Sequence, residues 1–328
     1  MQSDKMKIPF FKNKDLEDTF QKNGFVKVGK LNENSIKELI QWNQRLNIPD
    51  AFGFGYNVGM NAKNYELRKK MREVIIEIVF SEIKELLNSR IPYTASYMNK
   101  NTSKFAFVSA HQDWTFTDEA KIDSVMCWIP LIDVSINNAA LGFIPYSNSF
   151  YDYVRAFPFN ILKTPVFVHQ EKLMHYIDIM DMKAGEIVFF NQKTIHGSFA
   201  NYSNSERQAL SMSFVHSDYD IYTYICNPNN EGKTMLKYKV PIDFMVTTNY
   251  PIIASMYHNN HINLETTLVD EVEVKLPSNK WEDLEQILTQ HNIGIKQEQV
   301  ILTQRMQDLR INKKESIWTS IKNKLKSN

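Results

Sequence analysis

His111 and Asp113 stand two positions apart in the stretch SAHQDWTF. If this stretch is a β-strand, both side chains point to the same face, where an imidazole and a carboxylate can share a metal ion. A third candidate ligand, His196, follows the strand-like run GEIVFF. Two histidines and one carboxylate are typical of non-haem Fe(II) sites, although zinc accepts the same ligands. The alternative is an ordinary polar pair on a sheet surface, because His-x-Asp also occurs by chance.

Arg207 opens a later predicted strand in which small and large side chains alternate. Ala209, Ser211 and Ser213 share the face of Arg207. A guanidinium beside small residues suits a cavity that holds an anion, because its planar fork binds a carboxylate through two hydrogen bonds. The alternative is an exposed charge at the end of a strand.

The surrounding sequence indicates which elements position these residues. Apolar residues at helical spacing predict helices over 33–46 and 64–88. From about residue 93, short aromatic and β-branched runs are separated by Asn, Pro and Gly. Several strands without helices between them predict an antiparallel barrel or jelly roll. After about residue 250 helical patterns return, including SNKWEDLEQILTQHN.

The predicted fold class is therefore mainly β with helical additions, around a double-stranded β-helix of the cupin-like jelly-roll type. We expect residues 1–92 to form an N-terminal helical region that packs on the core. Residues 93–220 form the β core, and residues 221–328 form a largely helical C-terminal extension. All three parts are expected to form one integrated domain.

Composition excludes several functional classes. The 328-residue chain carries 38 Lys and Arg against 37 Asp and Glu, so no basic excess points to nucleic acid. Its two cysteines, Cys127 and Cys226, are too far apart in sequence for a metal or redox motif. No apolar run is long enough for a membrane span, and the N-terminus is too charged for a signal peptide. We expect a cytoplasmic protein that acts on a small molecule.

Three segments together resemble the phytanoyl-CoA dioxygenase family of Fe(II)/2-oxoglutarate-dependent oxygenases. They are HQD at 111–113, MCWIPLIDVSINNAALGFIPYS at 126–147 and KAGEIVFFNQKTIHGSFANYSNSERQALS at 183–211. The last one contains a Gly-(Asp/Glu)-hydrophobic strand, a His-Gly-Ser and an arginine 11 residues past that histidine. Ala139 departs from the family, which often has glycine there, and the turn at 145–148 also differs. These departures lie outside the predicted ligand set.

The resemblance implies a role for each matching residue. His111, Asp113 and His196 would bind the iron. Arg207 would bind the distal carboxylate of 2-oxoglutarate with help from Ser198. Trp128 would pack near this cosubstrate. An Asn99-Lys100 pair also resembles the family, without an assigned role.

The resemblance also implies a reaction. Fe(II), 2-oxoglutarate and O2 would oxidise an unactivated C–H of a small organic substrate, with succinate and CO2 as by-products. Hydroxylation is the default outcome, and desaturation, ring formation and epimerisation use the same site. Related iron halogenases replace the carboxylate ligand with a small residue, so Asp113 disfavours halogenation. Specialised-metabolite biosynthesis is the favoured setting, and the family name does not imply phytanoyl-CoA as the substrate.

The substrate pocket and two other functional classes are less well defined by the sequence. Four aromatic residues flank the predicted ligands and either line the pocket or belong to the core: Phe107, Trp114, Phe116 and Phe199. The insertion-like segment 150–181 is long enough to shape a lid.

Two other functional classes stay open as alternatives to an Fe(II)/2-oxoglutarate oxygenase. They are a cupin-type hydrolase or isomerase that uses zinc or another metal, and a non-catalytic ligand-binding barrel. His258, His261 and Glu265 are candidates for a separate zinc site.

Overall fold

Two antiparallel sheets form the centre of the molecule, whose computed structural model describes residues 8–50, 54–158 and 160–309. The strands are β1 (Phe25–Lys30), β2 (Tyr56–Val58), β3 (Arg90–Lys100), β4 (Val108–His111), β5 (Val125–Pro130), β6 (Gly142–Phe143), β7 (Asp178–Ile179), β8 (Glu186–Asn191), β9 (His196–Ser198), β10 (Ala209–His216), β11 (Ile221–Cys226), β12 (Thr234–Val240) and β13 (Thr267–Glu273).

The two central sheets pack face to face. The larger one has the order β1-β8-β5-β10-β3-β2 and the smaller one β4-β9-β6-β7. Trp128 and Phe190 of the larger sheet share an apolar cluster with Phe143 of the smaller sheet. The ring centroids of Phe143 and Phe190 are 5.3 Å apart. Facing antiparallel sheets connected in this way form a jelly roll, so the predicted mainly β fold class is confirmed.

Helices cover the outer face of the larger sheet and the ends of the jelly roll. No helix in the described part of the chain is both long and apolar enough to cross a membrane. The α-helices are α1 (Lys14–Asn23), α2 (Glu33–Leu46), α3 (Tyr65–Ile75), α4 (Ser81–Ile83), α5 (Pro165–Val168), α6 (Gln170–Leu173), α7 (Phe244–Thr247), α8 (Tyr250–His258), α9 (Trp281–Gln290) and α10 (297–309), with a π-helical turn at Ile76–Phe80 and 3-10 turns at Gly59–Asn61, Lys84–Leu86, Ser147–Ser149, Met174–Tyr176 and Pro228–Asn230.

The N-terminal helices pack through the apolar stripes that the sequence predicts. Leu39 of α2 and Met71 of α3 join Leu210 and Phe214 of β10 in one buried cluster. The prediction of a helix over 33–46 is therefore confirmed. The predicted helix over 64–88 is interrupted, because α3 continues into the π-helical turn, α4 and a 3-10 turn.

Strands appear in two regions for which the sequence analysis predicted helices. Within residues 1–92, β1 pairs with β8 and β2 pairs with β3, so this region completes both edges of the larger sheet. Within residues 221–328, β11, β12 and β13 form a separate three-stranded sheet. The strand β13 is almost entirely exposed and carries three acidic residues among its seven, as suits an edge strand. It therefore shows no alternation of buried and exposed residues that predicts a strand. The division of the chain at 92 and 220 stays a prediction.

The C-terminal helices support the segment 150–181, which we call the insertion segment. Leu284 and Leu288 of α9 are buried against Leu173 and Tyr176 of this segment. Further contacts join the two regions: the Lys172 ammonium lies 3.6 Å from the Trp281 ring centroid, Gln299 Nε2 donates to the Ile177 carbonyl at 3.2 Å, and the Lys296 amide donates to the His175 carbonyl at 2.8 Å.

Candidate functional site

His111 and His196 face each other in the smaller sheet. His111 is the last residue of β4, His196 is the first residue of β9, and the two are direct partners in the antiparallel register. Their ring centroids lie 4.2 Å apart. Directly opposite residues of paired strands bring their side chains together, so the sheet register sets the distance between the two imidazoles.

Gly197 keeps the strands around His196 close together. It lies opposite Gly142 of β6, and a Cβ at Gly197 would lie 2.9 Å from the carbonyl oxygen of Val108. A backbone carbonyl moves aside only if its strand moves. Glycine after His196 is therefore required by the packing of β4 against β9.

Asp113 lies beyond the end of β4, and not within a strand as the sequence analysis assumed. Its backbone is fixed by two hydrogen bonds: the Asp113 amide donates to the Gln192 carbonyl at 2.9 Å, and Arg155 Nε donates to the Asp113 carbonyl at 2.6 Å. Its Oδ1 is 3.7 Å from His111 Nε2, and its Oδ2 is 3.8 Å from His196 Nε2. The carboxylate still reaches both imidazoles, through a loop rather than through strand alternation.

Both histidines present the same ring nitrogen to the site. His111 Nδ1 is 2.9 Å from the Ser109 carbonyl, and His196 Nδ1 is 2.9 Å from the Thr194 carbonyl. Since a carbonyl only accepts, each Nδ1 carries a proton, and each Nε2 faces the Asp113 carboxylate. Desolvation and the neighbouring His196 lower the pKa of His111 to about 4. The His111 ring is therefore neutral near pH 7, as metal binding requires.

The three side chains form a set of donors that fits a metal ion. One ligand atom from each of His111, Asp113 and His196 lies within 4.8 Å of the others. Asp113 Oδ2 is buried and has no hydrogen-bond partner among the described residues. A buried carboxylate oxygen without a partner is costly, and a bound cation removes that cost. Two imidazoles and one carboxylate suit Fe(II), and no thiolate is present.

The second metal site considered in the sequence analysis does not form. Across residues 8–50, 54–158 and 160–309, the set around His111 is the only metal-ligand cluster. His258 ends α8, whereas His261 and Glu265 lie in the following loop. The loop conformation separates their ligand atoms, and the predicted helix-like spacing does not apply.

Two buried cations, Lys100 and Arg207, lie next to this cluster. Lys100 is 0% exposed and Arg207 is 2% exposed. Lys100 Nζ donates to Ser198 Oγ at 2.8 Å, and Ser198 lies two residues after His196 on β9. Arg207 donates from Nη1 to the Met98 carbonyl at 2.8 Å, while its buried Nε has no partner in the part of the chain that the structure describes. The two residues also exchange backbone hydrogen bonds of 2.9 Å in both directions.

The contacts of Lys100 and Arg207 include no carboxylate from the described part of the chain. Desolvation lowers the pKa of Arg207 to about 10. Desolvation, with the charge of Arg207, lowers the pKa of Lys100 well below its usual value. Burying two like charges without a counterion is unfavourable. This part of the structure therefore favours a bound anion.

Tyr56 connects the cations with the candidate metal ligands. Desolvation raises the pKa of the Tyr56 phenol. The charge of Arg207 opposes this shift, and the charge of Asp113 adds to it. Lys100 Nζ lies 5.2 Å from the Tyr56 ring centroid. The sequence analysis did not identify Tyr56, because β2 lies outside the segments that resemble the family.

The predicted cosubstrate residues lie around Arg207, with one difference. Trp128 packs against the guanidinium, whose Cζ lies 5.5 Å from the Trp128 ring centroid. Ser198 contacts Lys100 and not Arg207. Lys100 is thus a candidate that the sequence analysis left without a role, although the Asn99-Lys100 pair was a usable signal. Asn99 itself is structural, since its amide is paired with that of Asn43.

A cavity of about 500 Å³ opens beside His111. Its wall combines Tyr56 and Phe107 with Phe167 of the insertion segment and Tyr250 of α8. Cavities of this size hold drug-sized molecules. The insertion segment therefore forms a wall of the cavity, and its action as a lid stays a prediction.

One of the four aromatic residues predicted for the substrate pocket lines this cavity. Phe107 does so. Trp114 lies behind the wall, stacked on Tyr250 with ring centroids 5.5 Å apart. Phe116 and Phe199 belong to buried apolar clusters. Aromatic residue type alone does not separate cavity wall from core.

Arg155 ties the insertion segment to the loop that carries Asp113. Its guanidinium forms a two-pronged ion pair with Glu119, with Nη1 2.9 Å from Oε2, and it donates to the carbonyls of Asp113 and Tyr153. The two side chains are only 3% and 10% exposed. No sequence motif indicates this pair, because its members are 36 residues apart and meet through the fold alone.

Comparison with protein families gives the assignment. The sequence profile of the family described as phytanoyl-CoA dioxygenase (PhyH) matches residues 20–209. This chain belongs to the phytanoyl-CoA dioxygenase family. The resemblance inferred from the three sequence segments is therefore confirmed, and Fe(II) and 2-oxoglutarate are the cofactors of this family. The profile also covers β1 and β2, which the sequence analysis left unmatched. No curated protein matches the chain significantly.

Several solved structures resemble this PhyH-family chain at low sequence identity. The carbocyclase SnoK from nogalamycin biosynthesis is 17% identical, with a TM-score of 0.45 over 64% of this chain and 86% of that one. The epimerase SnoN from the same biosynthesis is 14% identical, with a TM-score of 0.46 over 81% and 93%. HygX from Streptomyces hygroscopicus, crystallised with nickel, 2-oxoglutarate and hygromycin B, is 11% identical, with a TM-score of 0.44 over 63% and 88%. Similarity at this level says nothing about the substrate of the present protein.

Replacing Arg155 with methionine is expected to lower the free energy of unfolding by roughly 3–5 kcal/mol, because it leaves Glu119 buried without a partner. Urea denaturation followed by circular dichroism measures this change. Lys183→Met is the matched control, since the Lys183–Asp133 pair is 74% and 61% exposed and such surface pairs contribute about 0–1 kcal/mol. Equal losses in the two variants would show that the buried pair does not stabilise the fold.

Proposed function

We propose that this protein is a non-haem Fe(II)/2-oxoglutarate-dependent dioxygenase that hydroxylates an unactivated C–H of a small organic substrate. The observation that carries the proposal is the position of the two buried cations. Lys100 and Arg207 have no carboxylate partner in the described chain, and they lie beside a His-Asp-His set that lacks only a cation. A dicarboxylate cosubstrate and a divalent metal supply the charges that both halves of the site lack.

In this proposal His111, Asp113 and His196 hold the iron through two Nε2 atoms and the carboxylate. When bound, Fe(II) with 2-oxoglutarate and O2 supplies the oxidation, and 2-oxoglutarate is converted to succinate and CO2. The two rings would present Nε2 to the iron, because their Nδ1 atoms are held by the carbonyls of Ser109 and Thr194. Asp113 occupies a ligand position with a carboxylate, which favours hydroxylation over halogenation.

Arg207 fixes the distal carboxylate of the cosubstrate. Its buried Nε has no hydrogen-bond partner among the described residues, so it is available as a donor, and a guanidinium holds a carboxylate in a defined orientation. Trp128 limits the movement of the guanidinium by packing against it. Lys100 holds the Ser198 hydroxyl in place, and the bound dicarboxylate would favour its charged form, which adds a second positive charge. Orientation of this kind contributes on the order of 7–11 kcal/mol in favourable cases.

Asp113→Ala and His196→Ala are each expected to reduce Fe(II)-dependent succinate formation to background, because two remaining ligands do not hold the metal. The measurement is 2-oxoglutarate turnover without primary substrate, together with Fe(II) binding by equilibrium dialysis. Asp220→Ala is the control, since Asp220 forms only an exposed pair with Lys239. Full turnover in either ligand variant contradicts the metal assignment, and wild-type turnover with Zn(II) in place of Fe(II) contradicts the proposed redox chemistry.

Arg207→Ala is expected to raise the 2-oxoglutarate concentration needed for half-maximal turnover about 10- to 100-fold, since a hydrogen bond to a charged group contributes roughly 1.5–3 kcal/mol. Lys100→Met is expected to act in the same direction. Arg45→Ala is the matched control, because Arg45 is exposed on α2, where its guanidinium lies over the Trp42 ring. An unchanged requirement in Arg207→Ala removes Arg207 from its proposed role.

A further inference from the structure

The wall of the cavity beside His111 has a composition that defines the chemical class of its occupant. We propose that the substrate is an uncharged, largely apolar molecule that carries oxygen atoms able to accept or donate hydrogen bonds. This inference rests on the proposed function, since it treats the cavity as the place where the reacting C–H lies. His111 and Tyr56 both line the cavity, so an occupant lies directly against the candidate metal centre.

The charge of the cavity wall limits the chemical groups that it can bind. Arg155 is the only Lys, Arg, Asp or Glu among the described residues that line the cavity. Its guanidinium is already neutralised by Glu119 and satisfied by the carbonyls of Asp113 and Tyr153. Phosphate and carboxylate groups are bound in proteins mainly by free Arg and Lys side chains. The wall offers no such group to a phosphorylated carrier or to an acid.

The surface of the cavity wall is largely apolar. Aromatic and aliphatic side chains dominate the wall, among them Phe54, Val58, Phe107, Leu162 and Phe167. An apolar ligand gains about 25 cal/mol for each Å² that it buries against such a surface. A volume of about 500 Å³ accommodates a multi-ring or branched scaffold.

The cavity wall also includes two residues with polar side chains that are not already hydrogen-bonded. Asn61 and Gln170 line the cavity, and their side-chain amides have no hydrogen-bond partner among the described residues. By contrast, Gln112 is fully used, because its amide donates to the Lys193 carbonyl and its oxygen accepts from the Tyr153 hydroxyl. Amides both donate and accept, so Asn61 and Gln170 match hydroxyl or carbonyl oxygens on an otherwise apolar scaffold.

Two fluorescent dyes that share one ring skeleton test the inference. N-phenyl-1-naphthylamine is neutral, whereas 8-anilinonaphthalene-1-sulfonate adds a sulfonate. Both are titrated into the full chain loaded with Ni(II) and 2-oxoglutarate, so that Lys100 and Arg207 are occupied and no turnover takes place. We expect one saturable site with at least a tenfold preference for the neutral dye. Equal or tighter binding of the sulfonate overturns the inference.

Variants locate the binding site of the dye. Ala156 is buried and lines the cavity, and Ala156→Trp is expected to weaken binding of the neutral dye at least tenfold. Ala120→Trp, on an exposed turn, is expected to leave it unchanged. Gln170→Lys adds a cation to the wall and is expected to strengthen sulfonate binding at least threefold, whereas Gln304→Lys on the exposed face of α10 has no effect. Dye binding that ignores both cavity variants overturns the inference.

Uncoupled 2-oxoglutarate turnover, measured on the same preparation with Fe(II), separates the two proposals. If turnover is present but the neutral dye is not preferred, the substrate class is wrong and the proposed function stands. If the neutral dye is preferred but Fe(II) and 2-oxoglutarate give no succinate, the cavity assignment stands and the proposed function is wrong.

Discussion

The direct pairing of His111 with His196 across β4 and β9 is the constraint on which the site depends. It makes the distance between two candidate ligands a property of the backbone register, which is among the stiffest features of a sheet. Gly197 permits the close strand contact, and the two Nδ1–carbonyl hydrogen bonds orient the rings. Only the carboxylate comes from a loop, and this loop is itself fixed from two sides.

The buried polar groups around this histidine pair favour ligand binding, but they destabilise the fold when no ligand is bound. Among the residues that the structure describes, no carboxylate contacts Lys100 or Arg207, and no group hydrogen-bonds to the buried Asp113 Oδ2. Each feature destabilises the empty fold. The large apolar clusters between the sheet and the N-terminal helices offset this cost. An anion and a cation that bind here restore charge balance, so ligand binding and stability are coupled.

The candidate metal ligands and Arg207 could be predicted from the sequence, because they lie in short motifs with fixed spacing along the chain. The His-x-Asp, the His-Gly-Ser and the arginine 11 residues later keep their spacing whatever surrounds them. The assumption that Asp113 lies in a strand was wrong, since the chain leaves β4 at His111. Arg155, Glu119 and Tyr56 meet the site only through tertiary contacts. The sequence also could not separate cavity-lining aromatic residues from core residues. Phe107 lines the cavity and Phe199 lies in a buried apolar cluster, although both are phenylalanines near the candidate ligands.

The helices α9 and α10 contact the insertion segment, so substitutions in these helices can change the shape of the cavity that this segment lines. The wall beside the reacting centre is held from behind by residues more than 100 positions away in sequence, such as Leu284 against Leu173. Substitutions in these distant helices therefore reshape the chamber without altering any group that touches its contents. The shape of the cavity can therefore change through substitutions in α9 and α10 while the residues that line the cavity stay the same.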